Sequence, residues 1–147
     1  MEYKAFFKAI AEKALFGAYL LHGAEEYVKE SALSQILLGI DAGVRDMNVD
    51  NLYAASAAEI IAACETLPFL AEYRAVVVRA LPKEADAEAL KAYLPKVPPQ
   101  TVLVFLHRGE ADRRLALVKA FAAQDRAVDF TPLSEHDAAR WLRQQAN

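Results

Sequence analysis

A single cysteine, Cys64, stands among the 147 residues, so no intrachain disulfide can form. One free thiol fits a reducing compartment. No apolar run approaches the length that crosses a bilayer, and the opening Met1-Glu2-Tyr3-Lys4-Ala5-Phe6-Phe7-Lys8 is too charged for a secretory signal. The chain is therefore expected in the cytoplasm, with no membrane partner. Cationic excess is missing as well: 17 Lys and Arg face 20 Asp and Glu, a net charge of -3. A DNA-coating surface needs such an excess, whereas a small basic patch does not. Repeats and low-complexity segments are absent. The remaining composition, 55% hydrophobic and 25% charged, is that of a folded chain. One domain of this size buries roughly two-thirds of its unfolded surface, without a disulfide or metal staple.

Short apolar runs alternate with longer helical patterns. Ala18-Tyr19-Leu20-Leu21, Ala75-Val76-Val77-Val78 and Thr101-Val102-Leu103-Val104-Phe105-Leu106 read as strands. They are continuous rather than alternating, as parallel strands covered on both faces are. Weaker strands are expected near Arg45 to Val49 and Ala127 to Phe130. Between them, Val28, Ala32, Leu33, Ile36, Leu37 and Ile40 follow helical spacing, with Gly39 and Gly43 placed to end the helix. Ser56 with Glu59 forms a capping box before Ile60-Ile61. Cys64, in the same apolar stretch, reads as a small buried hydrophobe. Leu115, Val118, Phe121 and Ala122 give the core face of a helix beginning near Asp112, and Ser134 with Asp137 caps a last helix carrying Trp141 and Leu142. The expected fold is α/β, a five-stranded, mostly parallel sheet with helices on both faces.

Open parallel sheets bind ligands beyond the carboxyl ends of their strands. The first strand exits into His22-Gly23-Ala24-Glu25-Glu26-Tyr27-Val28-Lys29, where a phosphate loop would lie. Such a loop needs several glycines and a Gly-Lys-Ser/Thr. Only Gly23 is present, and Glu25 and Glu26 at the helix start repel phosphate. Lys29 is expected to face solvent. No acid follows Val78 or Leu106, so a Walker B carboxylate is missing. His22 and His107 both end strands at this edge and leave open a metal or acid–base role. His136 is expected in a helix's first turn. Nucleophile elbows, zinc spacings and metalloprotease motifs do not occur. Arg113, Arg114 and Lys119 read as a solvated helix face, with an electrostatic contact to nucleic acid or a partner as the other reading.

The most unusual segment is Glu65-Thr66-Leu67-Pro68-Phe69-Leu70-Ala71-Glu72-Tyr73-Arg74. Helix-to-strand loops are normally short and polar. Here Leu67, Phe69 and Leu70 surround a proline. They either tuck into the core or form an exposed plug, carried on a short helical turn, that enters a partner's pocket.

In order along the chain, Tyr19 to Tyr27, Thr66-Leu67-Pro68-Phe69-Leu70 running through Arg74 to Val78, Leu94 to Pro99 with Thr101 to Phe105, and Trp141 resemble the delta subunit of the bacterial DNA polymerase III clamp loader. The resemblance implies a RecA-like AAA+ domain with the first strand central in the sheet, a degenerate nucleotide site, no cofactor and no catalysis. It implies binding and opening of the sliding clamp (the beta subunit) through Phe69 and Leu70, with Leu67 beside them. Position 70 is Leu where many members carry Phe. Members are about twice this length, so residues 1–147 would be the first domain, without lid or collar. Other clamp-loader subunits and primed DNA would be reached through the full-length chain. Two competing readings remain: a small α/β nucleotide-binding protein or enzyme using His22 and His107, and an interaction module whose apolar loop is core.

Overall fold

The computed structural model describes residues 1–131 together with Arg140, Leu142 and Arg143. The elements run α1 (Tyr3–Ala11), β1 (Gly17–His22), α2 (Glu26–Leu38), β2 (Val49–Tyr53), α3 (Ala57–Glu65), β3 (Arg74–Arg79), α4 (Glu84–Tyr93), β4 (Thr101–Leu106), α5 (Ala116–Ala123) and β5 (Ala127–Asp129). The strands form one sheet in the order β2-β3-β4-β1-β5, and every ladder is parallel. β1 is interior, but β4 holds the middle, which corrects the expectation of a central first strand.

The continuous apolar runs have a direct cause. Leu20, Val76, Val78, Leu103 and Phe105 pack on one face against α3, α4 and α5. Their neighbours Tyr19, Leu21, Ala75, Val102 and Val104 pack on the other against α1 and α2. With both faces covered, the interior positions of β1, β3 and β4 are apolar throughout, and the polar residues His22, Arg74, Arg79 and Thr101 stand only at strand ends.

Several expectations shift. Residues Arg45–Met47 form a 3-10 turn, and β2 starts only at Val49. α5 starts at Ala116, because the Asp112 carboxylate accepts the Arg114 N–H at 2.9 Å and holds a turn there. Its core face is Leu117, Val118 and Phe121; Leu115 and Ala122 are exposed. Ser56 does cap α3, accepting the Glu59 N–H at 3.2 Å. Gly39 ends α2 in right-handed backbone, with φ of -71°. Its requirement is space, since a Cβ there would collide with the Tyr73 hydroxyl. Ser134, His136, Asp137 and Trp141 lie outside the described residues.

Candidate functional site

The carboxyl edge of the sheet is where a nucleotide would bind. Gly23 follows β1 with φ of +122°, and a Cβ there would collide with the Phe130 carbonyl. Only glycine fits. Its N–H donates to the Gly109 carbonyl at 2.8 Å, joining the loops after β1 and β4.

Lys29 does not face solvent; it is 1% exposed. Its ammonium donates to the Gly23 carbonyl at 2.7 Å, the His107 carbonyl at 2.8 Å and the Glu26 carboxylate at 2.9 Å. Glu26 also accepts the Gly109 N–H at 2.9 Å. Burial alone would raise the Glu26 carboxyl, but the Lys29 and Gly109 hydrogen bonds hold it below its ordinary value. A phosphate loop turns N–H groups inward toward an anion. This loop turns carbonyls inward toward a cation belonging to the chain itself, a polarity opposed to phosphate.

His22 is buried. Its Nδ1 accepts the Ala111 N–H at 3.2 Å, and Nε2 lies 2.9 Å from Asp129, within ion-pair distance but outside hydrogen-bond alignment. Burial pulls the imidazole below its usual value; the Asp129 charge opposes this, and Arg113 reinforces it. A neutral folded His22 that gains a proton on unfolding makes stability fall as pH drops below about 6.5. The denaturant midpoint should therefore be lower at about pH 5.5 than at about pH 7.5, by less in His22→Gln, and equal midpoint losses in the two proteins would refute this assignment. His107 is half-buried, with Nδ1 3.2 Å from the Gly109 carbonyl oxygen. Among the described residues no three His, Cys, Asp or Glu side chains gather as a metal set. Burial pushes the Cys64 thiol up to about 12, so it is inert. Arg113 pairs with Asp129 at 3.0 Å and Arg114 with Asp112 at 3.0 Å, so both charges are locally matched.

The α3–β3 loop lies at the opposite, amino edge. Leu67 is 74% exposed, Phe69 50% and Leu70 78%. The segment is a series of bends rather than the helical turn expected, because Leu70 takes a left-handed φ of +54° and the Phe69 backbone is bound elsewhere. Asn48, fully buried, accepts the Phe69 N–H at 2.7 Å and donates to the Phe69 carbonyl at 2.8 Å. The loop's far end is fixed by buried Arg74, which donates to the Ala63 carbonyl at 3.2 Å and the Met47 carbonyl at 3.0 Å and pairs with Asp50. The Tyr73 hydroxyl donates to the Ile36 carbonyl across Gly39. Three large apolar side chains thus project from a backbone braced at both ends.

The family model for DNA polymerase III, delta subunit, matches residues 19–131, from β1 through the braced loop to just past β5. The chain belongs to that family. Among solved structures it is similar to the Bacillus subtilis DNA clamp loader delta protein, at 25% identity and a TM-score of 0.77. That match covers 91% of this chain and 44% of the Bacillus one, so the chain spans less than half the length of that relative. A gamma subunit-related DNA polymerase III protein of Thermotoga maritima shares the fold, at 15% identity and a TM-score of 0.61, covering 90% of this chain and 46% of that one. Comparison with curated proteins gave no match.

Within this delta-family domain, the sequence-predicted residues fall into two separate places. Leu67, Phe69 and Leu70 come together at the amino edge, while His22 and His107 stand at the carboxyl edge. Sequence reasoning misses Asn48 and the burial of Lys29. Lys29 carries a signal: it shares a helical face with Ala32, Leu33 and Ile36. Asn48 carries none, because its partner is 21 residues away.

Proposed function

We propose that this chain is the clamp-binding first domain of a clamp loader delta subunit. In this reading it grips the sliding clamp through Leu67, Phe69 and Leu70 and helps open it, without hydrolysing ATP. The observation that carries the proposal is the exposed apolar triplet on a braced loop, in a chain of the delta family. Preformed apolar anchors suit a hydrophobic pocket on a partner, since little ordering opposes docking. The remaining length of such a subunit, with lid and collar, would join the other clamp-loader subunits. Contact with primed DNA would be indirect, which accords with the locally paired Arg113 and Arg114. Among the described residues no helix is long and apolar enough to cross a membrane, and we place the protein in the cytoplasm with the replication machinery. Titration with the cognate sliding clamp tests the proposal; no binding would overturn it.

The absence of ATPase activity rests on Lys29 and on the missing Gly-Lys-Ser/Thr after Gly23. Calorimetric titration with ATP is expected to give no heat of binding at micromolar nucleotide. A saturable signal there would restore the nucleotide-binding alternative near His22 and His107.

A further inference from the structure

We infer that Asn48 is a positioning residue that sets the Phe69–Leu70 tip in its docking form before the partner arrives; this rests on the clamp-binding reading above. Every hydrogen-bonding group of Asn48 is engaged. Its N–H donates to the Arg45 carbonyl at 2.9 Å, and its carbonyl accepts the Ala75 N–H at 2.9 Å, where β2 meets β3. Its side-chain nitrogen donates to the Val44 carbonyl at 2.9 Å and the Phe69 carbonyl at 2.8 Å, while Oδ1 accepts the Phe69 N–H at 2.7 Å. One amide therefore replaces a neighbouring strand for Phe69. A carboxylate offers only acceptors and a hydroxyl only one atom, so neither reproduces the pair.

The next residue shows why the loop needs such a hold. Leu70 has φ of +54°, a region that costs a β-carbon residue strain and persists only where the surroundings enforce it. The Phe69 and Leu70 side chains, 50% and 78% exposed, supply little packing to enforce it. The polar bracket on the preceding residue does so, with Tyr73 and Arg74 fixing the far side. Without the bracket, the apolar surface is unchanged but must be ordered on binding, which weakens affinity.

The test titrates the cognate sliding clamp against the wild-type chain, Asn48→Ala, Asn48→Asp and the core control Phe121→Ala, at a temperature where each is folded. Amide exchange at Phe69 is followed alongside. Asn48→Ala should bind on the order of tenfold more weakly and exchange the Phe69 amide faster. Asn48→Asp turns a buried carboxylate toward the Val44 and Phe69 carbonyls and should lose at least as much as Asn48→Ala. Asn48→Ser, titrated beside them, keeps one donor and acceptor atom, should fall between wild type and Asn48→Ala, and decides the matter if Asn48→Ala does not fold. Phe121→Ala should melt earlier and yet bind as the wild type does. Wild-type affinity in the Asn48 variants overturns the inference and leaves the clamp reading standing. An equal loss in Phe121→Ala overturns it too, since general loosening would then suffice. A wild-type chain that does not bind the clamp removes the clamp reading itself, and with it the role assigned to Asn48.

Discussion

Replacing Phe69 and Leu70 together with Ala is expected to weaken clamp binding about a thousandfold while moving the fold's stability by less than about 1 kcal/mol. The two halves of this outcome have different sources. An apolar anchor buried at an interface centre contributes about 2 kcal/mol or more, so two lost anchors amount to roughly 4 kcal/mol, or three decades of affinity. Had either side chain been part of the core, its removal would cost roughly 2–5 kcal/mol of stability instead. Leu70 is 78% exposed and Phe69 50%, so the free domain has little packing to lose. Their backbone is held by Asn48 and not by their own side chains, so the loop should keep its course in the variant. Clamp titration gives the first half and thermal melting the second. A double variant that melts early, or that binds normally, contradicts the assignment of these two residues.

What can be read from the sequence depends on whether a residue's role is local. β1, β3 and β4 are legible because covering both faces of a parallel strand forces an unbroken apolar run. β2 is an edge strand, Val49-Asp50-Asn51-Leu52-Tyr53, with mixed burial and no such run, so its expected position falls on the preceding turn. α1 hides its buried Phe6 and Phe7 among lysines, and α4 buries only Leu90 and Tyr93, so neither stands out. Leu115 is misplaced by spacing alone, which cannot show that the Asp112 turn delays the helix by one turn. The apolar loop is conspicuous in the sequence, yet its exposure is not decided there. What decides it is a set of polar contacts, from Asn48 and Arg74, that cross between distant segments.

Lys29→Met is expected to destabilise the domain by about 2–4 kcal/mol, lowering the melting temperature on the order of ten degrees, while leaving clamp affinity unchanged. The ammonium holds the Gly23 and His107 carbonyls at once, and so joins the exits of β1 and β4. Methionine fills a similar volume but donates nothing, so two carbonyls lose a charged donor and Glu26 loses its counter-ion. Each such loss in a buried setting costs about 1–3 kcal/mol, partly relieved at Glu26, whose side chain is 48% exposed. Had Lys29 been a phosphate ligand, its ammonium would stand free for an incoming anion, and its replacement would cost nucleotide affinity rather than stability. The geometry separates these cases. An ammonium has three N–H groups, and the Lys29 ammonium has three acceptors within the protein: Gly23, His107 and Glu26. Clamp affinity should survive because the α3–β3 loop sits at the other edge of the sheet, braced by Asn48, Tyr73 and Arg74 through groups far from the β1 and β4 exits. Thermal melting and clamp titration of the same variant read the two edges independently. A stable Lys29→Met protein would show that the carbonyl-lined loop does not need its cation, and a weakened clamp affinity would show that the two edges are coupled through the sheet.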